Sequence, residues 1–263
     1  MTTSTQHDHG LETSAQLERR AAWLRLGKRL GGERLLLLAG RVLARLKIEA
    51  AERIPAQGAC LFAFNHVSQP ADLLLNTVIR RRRPDVYVFG AKALQGQNPL
   101  ASFLARLGDR DTEARLLRAY KAKGLSAGEL LRAYRILQEG GAIAIAVEGE
   151  ITWDGRLQYP LAPGAAWLAL RSAAPVAPIV SCGGYDMQPR WQMDRIWLPG
   201  RLTIRVGQPI HLALTPMRQP DGRAVAAANQ RLWEAMAALL AQGDASPSHE
   251  EMSTWRSARS PSL

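Results

Sequence analysis

Five short, largely apolar runs punctuate this chain: ACLFAF (59–64), VYVFGA (86–91), AIAIAV (142–147), VAPIVS (176–181) and RLTIRV (201–206). Each is too short for a stable helix and is bounded by Gly, Pro or polar residues, so each reads as a strand. ACLFAF and AIAIAV, apolar at every position, belong to strands covered on both faces. Between them lie segments of helical character: Asp72–Arg81, Pro99–Leu107, 112–122, a stretch opened by the capping-box pair Ser126 and Glu129 and closed by Gly140-Gly141, AAWLALRSA behind Pro163 and Gly164, and 223–241. Strands alternating with helices dictate an α/β domain. The expected architecture is a central, mixed, mostly buried sheet flanked by helices, spanning residues 48–242.

Ahead of it, residues 13–47 form an expected pair of helices broken near Gly31-Gly32. The first carries Leu17, Ala21 and Leu24 at helical spacing amid Arg19, Arg20, Arg25, Lys28 and Arg29. The second carries Leu35, Leu38, Val42 and Leu46 on one stripe, with Arg34, Arg41 and Arg45 off it. Such basic amphipathic helices can either pack on the domain or dip an apolar face into lipid headgroups while arginines meet phosphates. The best candidate for a spanning helix, LLLLAGRVLARL, is interrupted by Arg41 and Arg45 and falls short of the roughly 18 residues that such a helix needs. MTTSTQHDHG lacks the apolar core of a signal peptide. Residues 1–12 and 243–263 are expected to be disordered tails. The net charge of +11 draws the chain toward polyanions, nucleic acid or an anionic membrane, without choosing between them. No zinc, helix-turn-helix or ribonucleoprotein motif supports the nucleic-acid alternative. Cys60 and Cys182 stand in no metal-binding pattern and are expected to be free thiols.

Of five histidines, His7, His9 and His249 fall in the tails and His211 follows the last strand. Only His66 stands between a buried strand and a helix, where α/β proteins place their sites. Its context is FNHVSQPAD, with Asp72 six residues on. A neutral imidazole can take a proton from a hydroxyl, and a carboxylate can hold the ring in the right tautomer. A structural loop histidine is the plain alternative. A second cluster spans 146–180, where Glu148-Gly149 ends a strand at the sheet edge that His66 should also occupy. Gly149 permits a tight turn there.

Taken together, NH-x-S…D, the strand ending in EG, DGRL, PGAAWLAL and APVAPIV occur in an order that resembles the glycerolipid acyltransferase family. That family carries an N-H-x-S-x-x-D motif, a later F-P-E-G-T-R motif and a closing V-P-V-x-P strand. Lys92, NPLASFLARLG (98–108) and RVGQPI (205–210) fit its intervening and final segments, so the resemblance covers about residues 45–210. It implies transfer of a fatty acyl group from acyl-CoA or acyl carrier protein to a lysophospholipid or glycerol-phosphate-type hydroxyl, in phospholipid biosynthesis at the cytoplasmic membrane face. It implies His66 as general base and Asp72 as its orienting partner. Asn65, Ser68, Lys92, Glu148, Gly149 and Arg156 would help bind substrate, and no metal or redox cofactor is needed.

Two departures bear on this expectation. Five residues separate His66 from Asp72 where the family has four. Inside a helix one extra residue turns a side chain by about 100° and would break the pair, whereas a loop before Pro70 could absorb it. EGEI stands where the family has EGTR, so Glu150 and Ile151 occupy the Thr and Arg positions. Arg156, Arg110 or Arg115 could replace the missing cation, or the acceptor could lack a terminal phosphate. A member of the fold that binds lipid or acyl-CoA without turnover is the rival reading.

Overall fold

A computed structural model of the protein describes residues 32–90, 116–118, 126–193, 195–197 and 199–242. The expected tails, the first of the two N-terminal helices, Lys92, the 98–108 segment, Arg110 and Arg115 lie outside the described residues. The strands are β1 (Lys47–Glu49), β2 (Cys60–Phe64), β3 (Tyr87–Gly90), β4 (Leu116–Arg118), β5 (Ala142–Ala146), β6 (Val176–Gly183) and β7 (Leu202–Val206). The helices are α1 (Gly32–Leu43), α2 (Gln69–Arg82), α3 (Ala127–Gln138), α4 (Pro163–Ser172) and α5 (Gly222–Ala241).

These strands form a seven-stranded sheet in the order β1-β7-β6-β2-β5-β3-β4. All pairings are parallel except β6 with β7. The mixed α/β architecture expected from the alternating pattern is therefore the one observed. Strand β2 is central and buried on both faces. Phe62 and Phe64 face a core shared with Leu36, Leu37, Leu75 and Ile79, and Leu61 and Ala63 face one shared with Leu168 and Leu232. Helices α1 and α2 thus cover one face of the sheet, and α3, α4 and α5 the other.

Two local results differ from the sequence expectation. The segment 112–122 reads as helical, yet Leu116–Arg118 form β4, paired parallel with β3 at the sheet edge. A three-residue strand makes its hydrogen bonds to a neighbour distant in sequence, which local periodicity cannot register. The helix expected to run to residue 47 stops at Leu43. Arg45, at φ 44°, turns the chain, and the Leu46 amide bonds back to the Gly40 carbonyl at 3.1 Å. Lys47–Glu49 then joins the sheet beside β7.

The sequence left open whether the apolar stripe of α1 packs on the domain or faces outward. Leu36, Leu37 and Gly40 pack inward, whereas Leu38 and Val42, on the expected apolar stripe, remain 56% and 68% exposed. Four consecutive leucines, Leu35–Leu38, circle a full turn, so periodicity alone admits two inner faces. Arg34, Arg41 and Arg45 are also exposed. No helix among the described residues is long and apolar enough to cross a membrane.

Candidate active site

The register of the central strands decides what meets at the sheet's C-terminal edge. Phe64 of β2 is level with Ala146 of β5 and Ile179 of β6. The residues that follow, Asn65-His66 on one strand and Val147-Glu148 on the next, therefore leave the sheet side by side. The next pair along the chain, β5 and β6, lies on opposite sides of β2, so this edge is a topological switch point, where open α/β sheets place their ligands.

His66 is fixed on three sides. Its backbone amide donates to Glu148 Oε2 at 2.6 Å, and its carbonyl accepts from the Thr152 amide at 2.9 Å. Its ring Nδ1 forms an ion-pair contact with Asp72 Oδ2. The five-residue spacing is accommodated by where α2 begins. Ser68 is the N-cap, with extended φ −167° and ψ 159°, and Pro70 sits in the first turn. His66 and Val67 stay outside the helix while Asp72 lies in its opening turn, so the extra residue changes the approach to the helix rather than rotating Asp72 away from His66. Nδ1 is turned to the carboxylate, leaving Nε2 as the nitrogen available to a hydroxyl.

The neighbouring motif residues are tied to backbone. Asn65, 1% exposed, donates from Nδ2 to the Ser181 carbonyl at 3.0 Å and accepts from the Ser181 amide at 2.7 Å, clamping the exit of β2 to β6. Ser68 Oγ donates to the Gly184 carbonyl at 2.8 Å. Gly184 has φ 81°, and a Cβ there would meet Leu202 Cδ1 at 3.0 Å and Ala71 Cβ at 3.2 Å, so only glycine lets α2 start this close to the end of β6. Glu148 spans the site, with Oε2 on His66 and Oε1 accepting from the Gln158 amide at 2.8 Å. Gly149, at φ 74°, makes the turn that follows.

Burial sets the electrostatics. It disfavours charge on the His66 ring, but Asp72, with help from Glu148, outweighs it and raises the His66 pKa above the ordinary 6.5, while Arg190 pulls against them. Burial likewise raises the carboxyl groups of Asp72 and Glu148, against the opposing pull of His66 on the first and of the two backbone amides on the second. Both cysteines are free of disulfides, and burial pushes the Cys60 thiol up to about 12, which keeps it protonated.

The EGEI segment is met by a residue that the sequence patterns do not single out. Arg190, in the connection between β6 and β7, donates from Nη1 to the Ile151 carbonyl at 2.8 Å and pairs through Nη2 with Glu150. Its guanidinium lies 4.0 Å from the centre of the Trp153 ring. Arg156 is exposed, and its backbone helps close the following loop. Its amide donates to Asp154 Oδ1 at 3.0 Å, and its carbonyl accepts from Gln158 Nε2 at 3.0 Å. The structure thus brings His66, Asp72, Asn65, Ser68, Glu148 and Gly149 to one edge, adds Thr152 and Arg190, and leaves the Arg156 side chain in solvent. The only local hint at Arg190 is its place in PRW, a proline and an aromatic around a lone cation.

A family model described as Acyltransferase matches residues 45–182, just over half of the chain. Among solved structures, the fold is similar to that of the 1-acyl-sn-glycerophosphate (LPA) acyltransferase PlsC from Thermotoga maritima, with a TM-score of 0.52 at 16% identity over 84% of this chain and 82% of that one. No curated protein matches the sequence.

Proposed function

The chain belongs to the acyltransferase family, and from that premise we propose that it transfers a fatty acyl group from a thioester, acyl-CoA or acyl carrier protein, to the hydroxyl of a lysophospholipid or glycerol-phosphate-type acceptor in phospholipid synthesis. The observation that carries this reading is the His66–Asp72 pair, formed at the sheet edge despite its unusual spacing.

In this reading Nε2 of His66 takes the proton of the acceptor hydroxyl as its oxygen attacks the thioester carbonyl. Asp72 keeps the ring's other proton on Nδ1 and stabilises the imidazolium that forms. The tetrahedral oxyanion collapses, the carbon–sulfur bond breaks, and the imidazolium returns the proton to the thiolate. The products are an ester and a free thiol, so protons and electrons balance without a metal or redox cofactor. Glu148 and Thr152 support the reaction by holding the His66 backbone, and Asn65, Ser68 and Gly149 by fixing the chain on either side of the site. A nucleophile's base must be placed within a fraction of an ångström, so such restraint has kinetic value.

The reaction is proposed to occur at the cytoplasmic membrane face, with the protein bound peripherally. The exposed Leu38 and Val42 beside Arg34, Arg41 and Arg45 support the peripheral contact, because apolar residues rimmed by arginines suit an anionic lipid surface. Lys92 would hold an anionic headgroup.

The test is acyl transfer by wild type and His66→Ala from labelled acyl-CoA and acyl carrier protein onto glycerol 3-phosphate, lysophosphatidate and phosphate-free lysolipids. Turnover abolished in a folded His66→Ala variant is expected. Full turnover without His66, or none by the wild type with any pair, overturns the proposal.

A further inference from the structure

The missing motif arginine leaves the acceptor end of the site without its expected cation, and the fold brings one from elsewhere. Arg190 bonds the carbonyl of Ile151, the residue standing where the motif arginine would be. Ile151 precedes Thr152, whose amide holds the His66 carbonyl, so the guanidinium is anchored one residue from the backbone that positions the base. It is held by Ile151 and Glu150 and stacked on Trp153, which fixes its plane. The cluster is open to an incoming molecule. The side chains of Arg190 and Glu150 are 26% and 61% exposed, and Trp153 is 63% exposed.

This cation differs from a free motif arginine because it carries its own counter-ion. A phosphate monoester approaching Arg190 must displace or tolerate the Glu150 carboxylate, and its two negative charges meet a pair whose charges sum to zero. A headgroup with no net charge, either uncharged or carrying one positive and one negative group, meets no such repulsion and can use both partners. We propose that Arg190 and Glu150 together determine acceptor specificity, Arg190 standing in for the absent motif arginine and Glu150 turning the site from phosphate monoesters toward acceptors of zero net headgroup charge. The assignment rests on the acyltransferase reading with His66 as base, and it adds two specificity-determining residues to it.

The experiment compares kcat/KM for lysophosphatidate, lysophosphatidylcholine and monoacylglycerol in the wild type, Glu150→Thr, Arg190→Gln and the double variant. Freeing a guanidinium to make charge-assisted hydrogen bonds to phosphate is worth between about tenfold and about a hundredfold. Glu150→Thr should therefore raise the preference for lysophosphatidate over the two net-neutral acceptors by that factor. The double variant should lose the gain. A preference within threefold of wild type in Glu150→Thr, or a gain that survives loss of Arg190, overturns the assignment.

A second readout does not require turnover. Equilibrium dialysis of a labelled short-chain lysophosphatidate should show tighter binding by Glu150→Thr than by wild type, and weaker binding by Arg190→Gln. Equal affinities in all three sink the specificity proposal. Graded binding across the three proteins, with a folded wild type that transfers no acyl group to any acceptor, would leave the specificity pair standing and remove the catalytic reading.

Discussion

Replacing Asp72 by Asn separates the charge of the His66 partner from its shape. The carboxylate is mostly buried, with the Asp72 side chain 15% exposed, so solvent screens its effect on the ring only weakly. Asn keeps the volume but can turn its NH2 group toward Nδ1, which stabilises the tautomer with the proton on Nε2 and leaves no base facing the hydroxyl. Where a catalytic aspartate of this kind is neutralised, kcat falls by about 10⁴, which corresponds to roughly 5.4 kcal/mol of transition-state stabilisation at about 1.36 kcal/mol per tenfold.

The pH dependence carries its own sign. In the proposed mechanism catalysis needs the neutral ring, and its pKa lies above 6.5, so wild-type kcat/KM should fall as pH drops through that raised value. Asp72 is the chief influence raising it. In Asp72→Asn, burial and Arg190 oppose Glu148 alone, so the acid limb of the residual activity should move to lower pH. Stability should change little. Losing a negative charge in the first turn of α2 costs about 0.3–1 kcal/mol against the helix dipole, while relief of a buried carboxylate acts the other way. Thermal melts should therefore agree within about 4 °C. The assay is a pH series of kcat/KM with melting curves on the same samples. A folded variant within tenfold of wild type, with its acid limb unmoved, would refute the pairing as a catalytic one.

Three further outcomes follow from the same geometry. Asn65→Ala removes both bonds to Ser181 and leaves buried backbone groups unpaired, so urea denaturation should show a loss of about 2–4 kcal/mol with an unchanged slope; an unchanged midpoint would mean that water replaces the clamp. Gly149→Ala places a side chain at φ 74°, with only the Ala162 Cβ nearby at 3.5 Å, so the cost should be about 1–2 kcal/mol of backbone strain in the same assay, and a neutral result would show that the turn relaxes. Leu38→Asp with Val42→Asp alters exposed positions, so stability should hold within about 0.5 kcal/mol. Co-sedimentation with anionic vesicles should fall several-fold, and undiminished sedimentation would exclude this face of α1 as the lipid contact.

The sheet was legible because burial on both faces leaves a plain trace. The five apolar runs became β2, β3, β5, β6 and β7, and the caps were readable where they are local, as with Ser126, whose Oγ accepts from the Glu129 amide at 3.2 Å. The two strands that the pattern does not reveal, β1 and β4, are each three residues long and sit at opposite sheet edges. Their stability comes from pairing with β7 and β3, so nothing in their own composition separates them from loop or helix.

The site was legible to the extent that its residues follow strands. His66 and Glu148 each emerge from a recognisable apolar run, and equal register brings them together. Whether five residues could separate His66 from Asp72 was not legible, because the answer depends on which residue caps α2, and Ser68 is chosen as cap partly by its bond to Gly184 at the end of β6. The same dependence on distant partners hides the roles of Asn65 and Glu148. A residue needed to hold the backbone and a residue needed to touch substrate leave the same mark in a motif, and only the direction of the polar atoms separates them. Arg190 is the extreme case. Nothing about a single arginine between strands says that it will lie against EGEI, yet once it does, the change from Thr and Arg to Glu150 and Ile151 no longer reads as the loss of a function. In the proposed site Ile151 needs to supply only a carbonyl, Glu150 supplies the counter-charge, and Arg190, in the connection that follows β6, takes the place of the motif arginine. A site assembled this way keeps its base and its scaffold while its charge pattern, and with it the choice of acceptor, can change through residues that lie outside the motif.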